Sequence, residues 1–326
     1  MPSPVAIDST FRRPDYGAGD PPATPARADD DPRAARQAAA ERLQAFIDDP
    51  MNGPPIPGPG LSCNDERDYL HFDYDRCGTQ SPVDPVLIRQ QRTTPAPVDR
   101  TDVTQGVMGD CHVLAPLAAL AGTPEGYAFI RNAIHEGTND RGESVYAVTL
   151  HKAESHWFGP KTFTEVTITV DTHFAKGRAA PAEPFASGQE IWAMVIEKAY
   201  AQLCGGYNAI ARGGCPADVM EALTGREAER VVPSWFTSYS TERMERDLAA
   251  GKLVVLETRP GLDPRTPPRL VDQHAYSVAA TEVRDGRLYV KLYNPWNKDQ
   301  PDPIPCDELN KWFRRVDVGS LGPVRS

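Results

Sequence analysis

The chain lacks three features that would each settle its class at once: a long apolar run, a basic surplus and a dense cysteine framework. None of its 326 residues falls in a stretch approaching the roughly 20 apolar residues a membrane-spanning helix needs. The N-terminus has neither a basic segment nor an apolar one, so no Sec signal peptide is expected. Lys and Arg number 35 against 45 Asp and Glu, a formal charge of −10, and no basic patch offsets it; nucleic acid is not an expected partner. Six cysteines are too few and too scattered for a disulfide scaffold at this length. Cys63 and Cys77 could pair across the loop between them, but the expectation is reduced thiols in a soluble protein. Cys204 and Cys215 flank a glycine-rich loop with no CxxC pair and no partnering histidines, which argues against zinc. No Asp-x-Asp-x-Asp-Gly calcium loop occurs anywhere.

What is present divides into two materials. Residues 1–79 form a proline-rich leader, with Pro21-Pro22, Pro54-Pro55, Pro57 and Pro59 beside Asp29-Asp30-Asp31. Such a stretch cannot bury enough surface to offset its ordering entropy. Within it, residues 33–47 are alanine-rich with Leu43, Phe46 and Ile47 on one face. They predict a short helix, either a marginal tail helix or a docking or inhibitory pro-helix lying over a cleft. From about 80 the patterning becomes globular, and 40% hydrophobic content supports a real core. Residues 144–150 and 164–170 alternate as strands, and a helix is expected from about 190 to 203. A further helix over 241–248 stops at Gly251, and strands follow over 252–258, 274–283 and 288–294.

Chemistry concentrates in three places. Cys111 follows the glycine-bearing loop Gln105-Gly106-Val107-Met108-Gly109-Asp110 and precedes the apolar run Val113–Ala121. That places it at the mouth of a buried helix, where unpaired N–H groups and the dipole favour a thiolate. Gln105 can fold back to offer its amide N–H as an oxyanion donor. His274 heads a strand, and Asn294 closes the next one, followed by Pro295 and Trp296. The Asp285-Gly286 pair between them is a hairpin signal. Folding there brings His274 within about three residues of register with Asn294; the sequence leaves the register open, and a bulge could be needed to set both on one face. A histidine can take the thiol proton, an asparagine oxygen can hold its other ring nitrogen, and Trp296 can shield that bond.

These blocks resemble the calpain family of papain-like cysteine proteases. The resemblance is carried by Gln105-Gly106-x-x-Gly109-Asp110-Cys111, His274-Ala275-Tyr276-Ser277-Val278 and Asn294-Pro295-Trp296. Two further blocks agree: Ile196-Glu197-Lys198-Ala199-Tyr200 with the loop through Gly213-Gly214 and Leu223-Thr224-Gly225, and Leu248–Val254. Asp307–Val316 is similar to that core's last helix and strand, so the likeness covers roughly 80–320. It implies an α+β, papain-like two-lobed fold, with a helical lobe (80–225) carrying Cys111 and an antiparallel-sheet lobe (226–326) carrying His274 and Asn294. It also implies an endopeptidase acting on protein or peptide substrates through a Cys111 thioester.

The departures are specific. His112 stands where the family usually carries tryptophan, Pro116 falls inside the nucleophile helix, and Gln273 replaces the glycine before the histidine. They keep open a catalytically weak or inactive peptide-binding module; a papain-like acyltransferase is the other alternative. Family calcium positions are matched by Asp102 and Glu197, hard oxygen donors that could ligate calcium or serve as a turn acid and an ion-pair partner. The acidic loop of a second family site has no match in Asn297–Asp302, and no stretch of these 326 residues resembles the family's C2-like or penta-EF-hand modules. No cofactor is required; calcium is the one suggested. A proline-rich leader ahead of a compact enzyme suits either the cytoplasm or delivery by a dedicated secretion machine.

Overall fold

A computed structural model describes residues 79–82, 85–88, 98–106, 108–175, 190–232 and 239–322. The leader over 1–78, with its expected helix at 33–47, Cys63 and Cys77, lies outside the described residues.

The strands are β1 (Thr79–Gln80), β2 (Ile134–Thr138), β3 (Ser144–Glu154), β4 (Thr162–Asp171), β5 (Phe174–Ala175), β6 (Glu229–Val231), β7 (Leu253–Thr258), β8 (Ala275–Arg284), β9 (Arg287–Tyr293), β10 (Ile304–Pro305) and β11 (Phe313–Gly319). The helices are α1 (Cys111–Ala121), α2 (Gly126–Ala133), α3 (Trp192–Leu203), α4 (Tyr207–Ile210), α5 (Pro216–Thr224), α6 (Thr241–Ala249) and α7 (Leu309–Trp312). A six-stranded antiparallel sheet has the order β10-β9-β8-β7-β11-β6, and β2-β3-β4 form a second sheet. The protein is therefore a mixed helix-and-sheet fold.

Strand β7 explains how the pieces meet. All six of its residues are buried, so it reads as a continuous apolar run rather than an alternation. Leu253 and Val255 point into a core shared with α1, α3, α5 and the three-stranded sheet. Val254 and Leu256 point the other way, into a core with Met244, Leu288, Val290 and Phe313. Helix α1 is buried along its whole length. Pro116 sits at its sixth residue, beyond the first turn, so one backbone bond to His112 is lost, at about 3 kcal/mol in an ordinary helix.

Sequence signals account for the local stops. Gly251 takes φ 67°, the left-handed conformation that closes α6. Asp285 (φ 49°) and Gly286 (φ 75°) form the two-residue turn of the β8–β9 hairpin. Other elements depart from expectation. The segment expected as a loop after α3 contains α4 and α5, the latter started by Pro216 and closed by Gly225 at φ 63°. Strands β3 and β4 run past the expected alternation and pair over ten residues, from Val145–Asp171 to Glu154–Thr162.

Candidate active site

The segment before Cys111 is held by close backbone contact. Gly109 forms a parallel bridge with Arg212, and Gly213 donates its N–H to the Gly109 carbonyl at 3.1 Å. A Cβ on Gly109 would stand 2.7 Å from the Ala211 carbonyl oxygen, so close approach is what requires glycine there. Asp110 is the N-cap of α1, fully buried, with no side-chain cap bond. Burial first, then the neighbouring Glu197 of α3, holds its carboxyl well above the usual carboxylate range.

Cys111 opens α1 and is 8% exposed. Burial pushes its thiol up to about 12; the backbone N–H groups of Ala275 and His112 pull the other way, and Glu257 and Asp110 push with burial. Desolvation thus opposes the stabilisation of a thiolate expected from the helix N–H groups. The neighbouring Ala275 N–H sets the sulfur beside the residue that follows His274.

His274 is fixed through its own backbone. Its N–H donates to Thr258 Oγ1 at 2.7 Å, and its carbonyl accepts from the Thr258 N–H at 2.9 Å. The ring Nε2 lies 2.9 Å from Asn294 Oδ1. The Trp296 N–H donates to that same Oδ1 at 3.1 Å, and Asn294 Nδ2 donates to the Asp299 carbonyl at 3.3 Å. Two independent partners thus fix which way the amide points. Nε2 must then carry the proton, leaving the Nδ1 lone pair as the base. Burial pushes the imidazole down to about 4, and the Asn294 bond pulls it up. Burial therefore disfavours the charged form of both the thiol and the imidazole.

A β-bulge makes this meeting geometrically allowed. From Arg284–Arg287 back to Ala280–Lys291 the hairpin pairs in one register; at Val278–Leu292 and Ser277–Tyr293 it has shifted by one. Ala279 is the extra residue. Without it His274 and Asn294 would face opposite sides of the sheet. Around the pair, the Trp296 ring lies 4.8 Å from the imidazole at 45°, and Tyr276 meets it edge-on at 4.9 Å. Gln300 Oε1 accepts from the Asn294 N–H at 2.8 Å and props the turn. Thr258 and Gln300 were not singled out by the sequence; neither belongs to a chemical motif.

Gln105 Nε2 donates one of its two N–H groups to the Met108 carbonyl at 2.6 Å, and the same side chain bonds the carboxyl of Asp110, the residue before Cys111. The Gln105 backbone N–H reaches the Pro295 carbonyl at 2.7 Å. That bond belongs to a seam joining residues 101–105 to residues 293–297. Tyr293 Oη donates to the Val103 carbonyl at 3.2 Å, and Asn297 Nδ2 donates to the Thr101 carbonyl at 3.0 Å and to Thr104 Oγ1 at 3.2 Å.

The two candidate calcium donors each have protein partners in this fold. Asp102 Oδ2 accepts from the Asp99 N–H at 2.7 Å in a capping box, while Glu197 is fully buried against Asp110. Among the described residues no group of three or more His, Cys, Asp or Glu side chains is placed to hold a metal. No step is assigned to calcium.

The departures also find their places. Gln273 adopts φ 45°, the left-handed region that glycine occupies without strain, and is 5% exposed. His112 packs against Gly214, where a Cβ would stand 2.4 Å from its ring. It lines a cavity of about 980 Å³ with Tyr200, Cys204 and Cys215, and Cys111, His274 and Asn294 are not on that wall. His112 therefore faces away from the thiol.

Comparison with known proteins gives the family. A family model described as calpain family cysteine protease matches residues 85–317. Calpain-9 of Homo sapiens is 29% identical over 233 residues, covering 69% of this chain and 31% of that protein. The calpain-1 catalytic subunit of Sus scrofa is 30% identical over 226 residues, covering 65% of this chain and 30% of that protein. The human calpain-1 catalytic subunit is 28% identical over 224 residues, with the same 65% and 30% coverage. The chain thus spans about a third of the length of the curated relatives it matches.

Proposed function

As a member of the calpain family of cysteine proteases, this chain is one for which we propose an endopeptidase mechanism on protein or peptide substrates. Cys111 is the nucleophile, His274 the base and acid, and Asn294 the residue that orients the imidazole. The observation that carries the reading is the amide of Asn294, pinned by Trp296 and Asp299, holding Nε2–H so that Nδ1 is the free basic nitrogen.

On this reading the chemistry starts from a neutral pair. His274 Nδ1 takes the thiol proton as the sulfur attacks the scissile carbonyl carbon, so charge forms only with the new C–S bond. The Cys111 backbone N–H, at a helix position with no intrahelical carbonyl partner, faces the developing oxyanion. Gln105 joins it once its amide leaves Met108. The imidazolium returns its proton to the departing amine, leaving a thioester. Water, deprotonated by the same nitrogen, attacks the thioester, and the acid leaves as the thiol is restored. Trp296 covers the imidazole and keeps water from its hydrogen bond to Asn294.

We place the reacting groups in a cleft between a first lobe, residues 80–225, and a second, residues 226–326. Support comes from the two apolar cores on opposite faces of β7. Cys111→Ala should abolish cleavage of casein while leaving the circular dichroism spectrum unchanged; cleavage at the wild-type rate would sink the mechanism. One observation favours a second reading, a peptide-binding module: the thiol is buried and pushed up to about 12. The two separate with an epoxysuccinyl inhibitor, since a pure binding module leaves Cys111 unlabelled even with peptide present.

A further inference from the structure

The β3–β4 hairpin ends in a segment that the proteolytic reading does not use. Glu154 and Thr162 are its last pair, and residues 155–161 form the tip. Trp157 is 92% exposed and Phe158 88%, the two most exposed large hydrophobic side chains among the described residues. Their rings lie 6.4 Å apart in an edge-on arrangement, so they form one apolar prow rather than two scattered contacts.

The prow is presented on a stiff support. Ten consecutive cross-strand pairs run back from it to Val145–Asp171. His156 Nε2 and Thr162 Oγ1, 2.8 Å apart, clasp the turn, and Gly159 takes φ 110°, a conformation that side chains other than glycine rarely adopt. At its base Lys161 is tied to Glu221 of α5 at 2.8 Å. That ion pair neutralises the one cation of the tip, and residues 155–160 hold no acid and no Lys or Arg.

We propose that this tip is a membrane-interface anchor, inserting Trp157 and Phe158 into the headgroup region of a lipid bilayer. Two observations select lipid over protein. Two aromatic side chains offer about 300–500 Å², well short of the roughly 800 Å² per partner that a stable protein interface buries. A neutral tip also enters the interface without stripping water from a charge, and a tryptophan beside a phenylalanine suits the boundary between headgroups and acyl chains. The protein's own charge of −10 excludes attraction to anionic headgroups as the driving force. Binding is then apolar and indifferent to salt.

The test is co-sedimentation of the full chain with phosphatidylcholine vesicles, at low and high salt. The expected result is binding at both salt levels. Trp157→Ala with Phe158→Ala should weaken it by at least about tenfold, with the melting temperature unchanged because both rings are in solvent. Three results overturn the proposal: no sedimentation of the wild type, equal binding by the double variant, or binding that needs phosphatidylserine and disappears in salt. A dimer seen by light scattering that the double variant dissolves, without vesicle binding, would make the prow a contact between copies instead. Because the readout is sedimentation, its failure leaves the catalytic reading of Cys111 untouched.

Discussion

The reactivity of Cys111 toward a small disulfide reagent follows directly from its surroundings. Burial pushes the thiol up to about 12, against about 8.5 for a free cysteine. At pH 8 the thiolate fraction is then about 10⁻⁴, where a free cysteine has about 0.2, a deficit of roughly 2,000-fold. A more basic thiolate is intrinsically more nucleophilic; with a Brønsted slope of about 0.45, the difference of about 3.5 units returns roughly 40-fold. The net expectation is a rate about 50-fold below that of an unstructured cysteine, before any hindrance from burial. The rate should climb close to tenfold per pH unit up to the point of unfolding. Dithiodipyridine, with the modified site located by peptide mass mapping so that the other five cysteines do not interfere, gives the measurement. A rate already high at pH 5 and flat to pH 8 would refute the reasoning, because it is the signature of a thiolate–imidazolium pair formed at rest. It would mean that the N–H groups of Ala275 and His112 outweigh desolvation.

Three further expectations concern the same neighbourhood. Asn294→Ala leaves the Nε2–H of His274 and the Trp296 N–H without their acceptor; casein turnover should fall roughly 10- to 100-fold and urea stability by about 1–3 kcal/mol. The imidazole is pushed down to about 4 in the fold, so the unfolded chain binds more protons between pH 6.5 and pH 4; stability rises with pH there and is lost as pH falls. In urea titrations the wild type should lose about 2 kcal/mol more than His274→Asn between pH 7 and pH 5. Gly109→Ala forces a methyl against the Ala211 carbonyl and should lower stability by about 1–3 kcal/mol, read as a shifted urea midpoint; an unchanged midpoint would show that the 109–213 contact gives way easily.

Local chemistry was legible in the sequence wherever one residue determines one conformation. Asp285-Gly286 announces the hairpin because both positions need positive φ, and Gly251 announces the end of α6 for the same reason. The pairing of His274 with Asn294 was legible across the hairpin, but neither its register nor the bulge's place was: Ala279 carries no mark that separates it from its neighbour Ala280. The side-chain amide of Gln105 could be placed near the helix mouth but not aimed, since its choice of the Met108 carbonyl depends on how the loop folds. The desolvation that acts on the Cys111 thiol was not legible for a related reason. Position at a helix start is local and visible, while burial is the sum of contacts from β8, α3 and α5, segments 80 to 170 residues away. Helix α5 was hidden among glycines and a proline that read as loop, although Pro216 and Gly225 mark its two ends.

The displaced register at Ala279 carries a consequence for how this hairpin can change over time. A strand counts in twos, so the segment from His274 to the turn tolerates gain or loss of two residues more readily than of one. Removing a single residue there would leave every side chain present and most of the sheet paired, yet turn the imidazole to the far surface, away from its amide. Natural length variation in this arm should therefore come in even steps, or in compensated single steps on both arms.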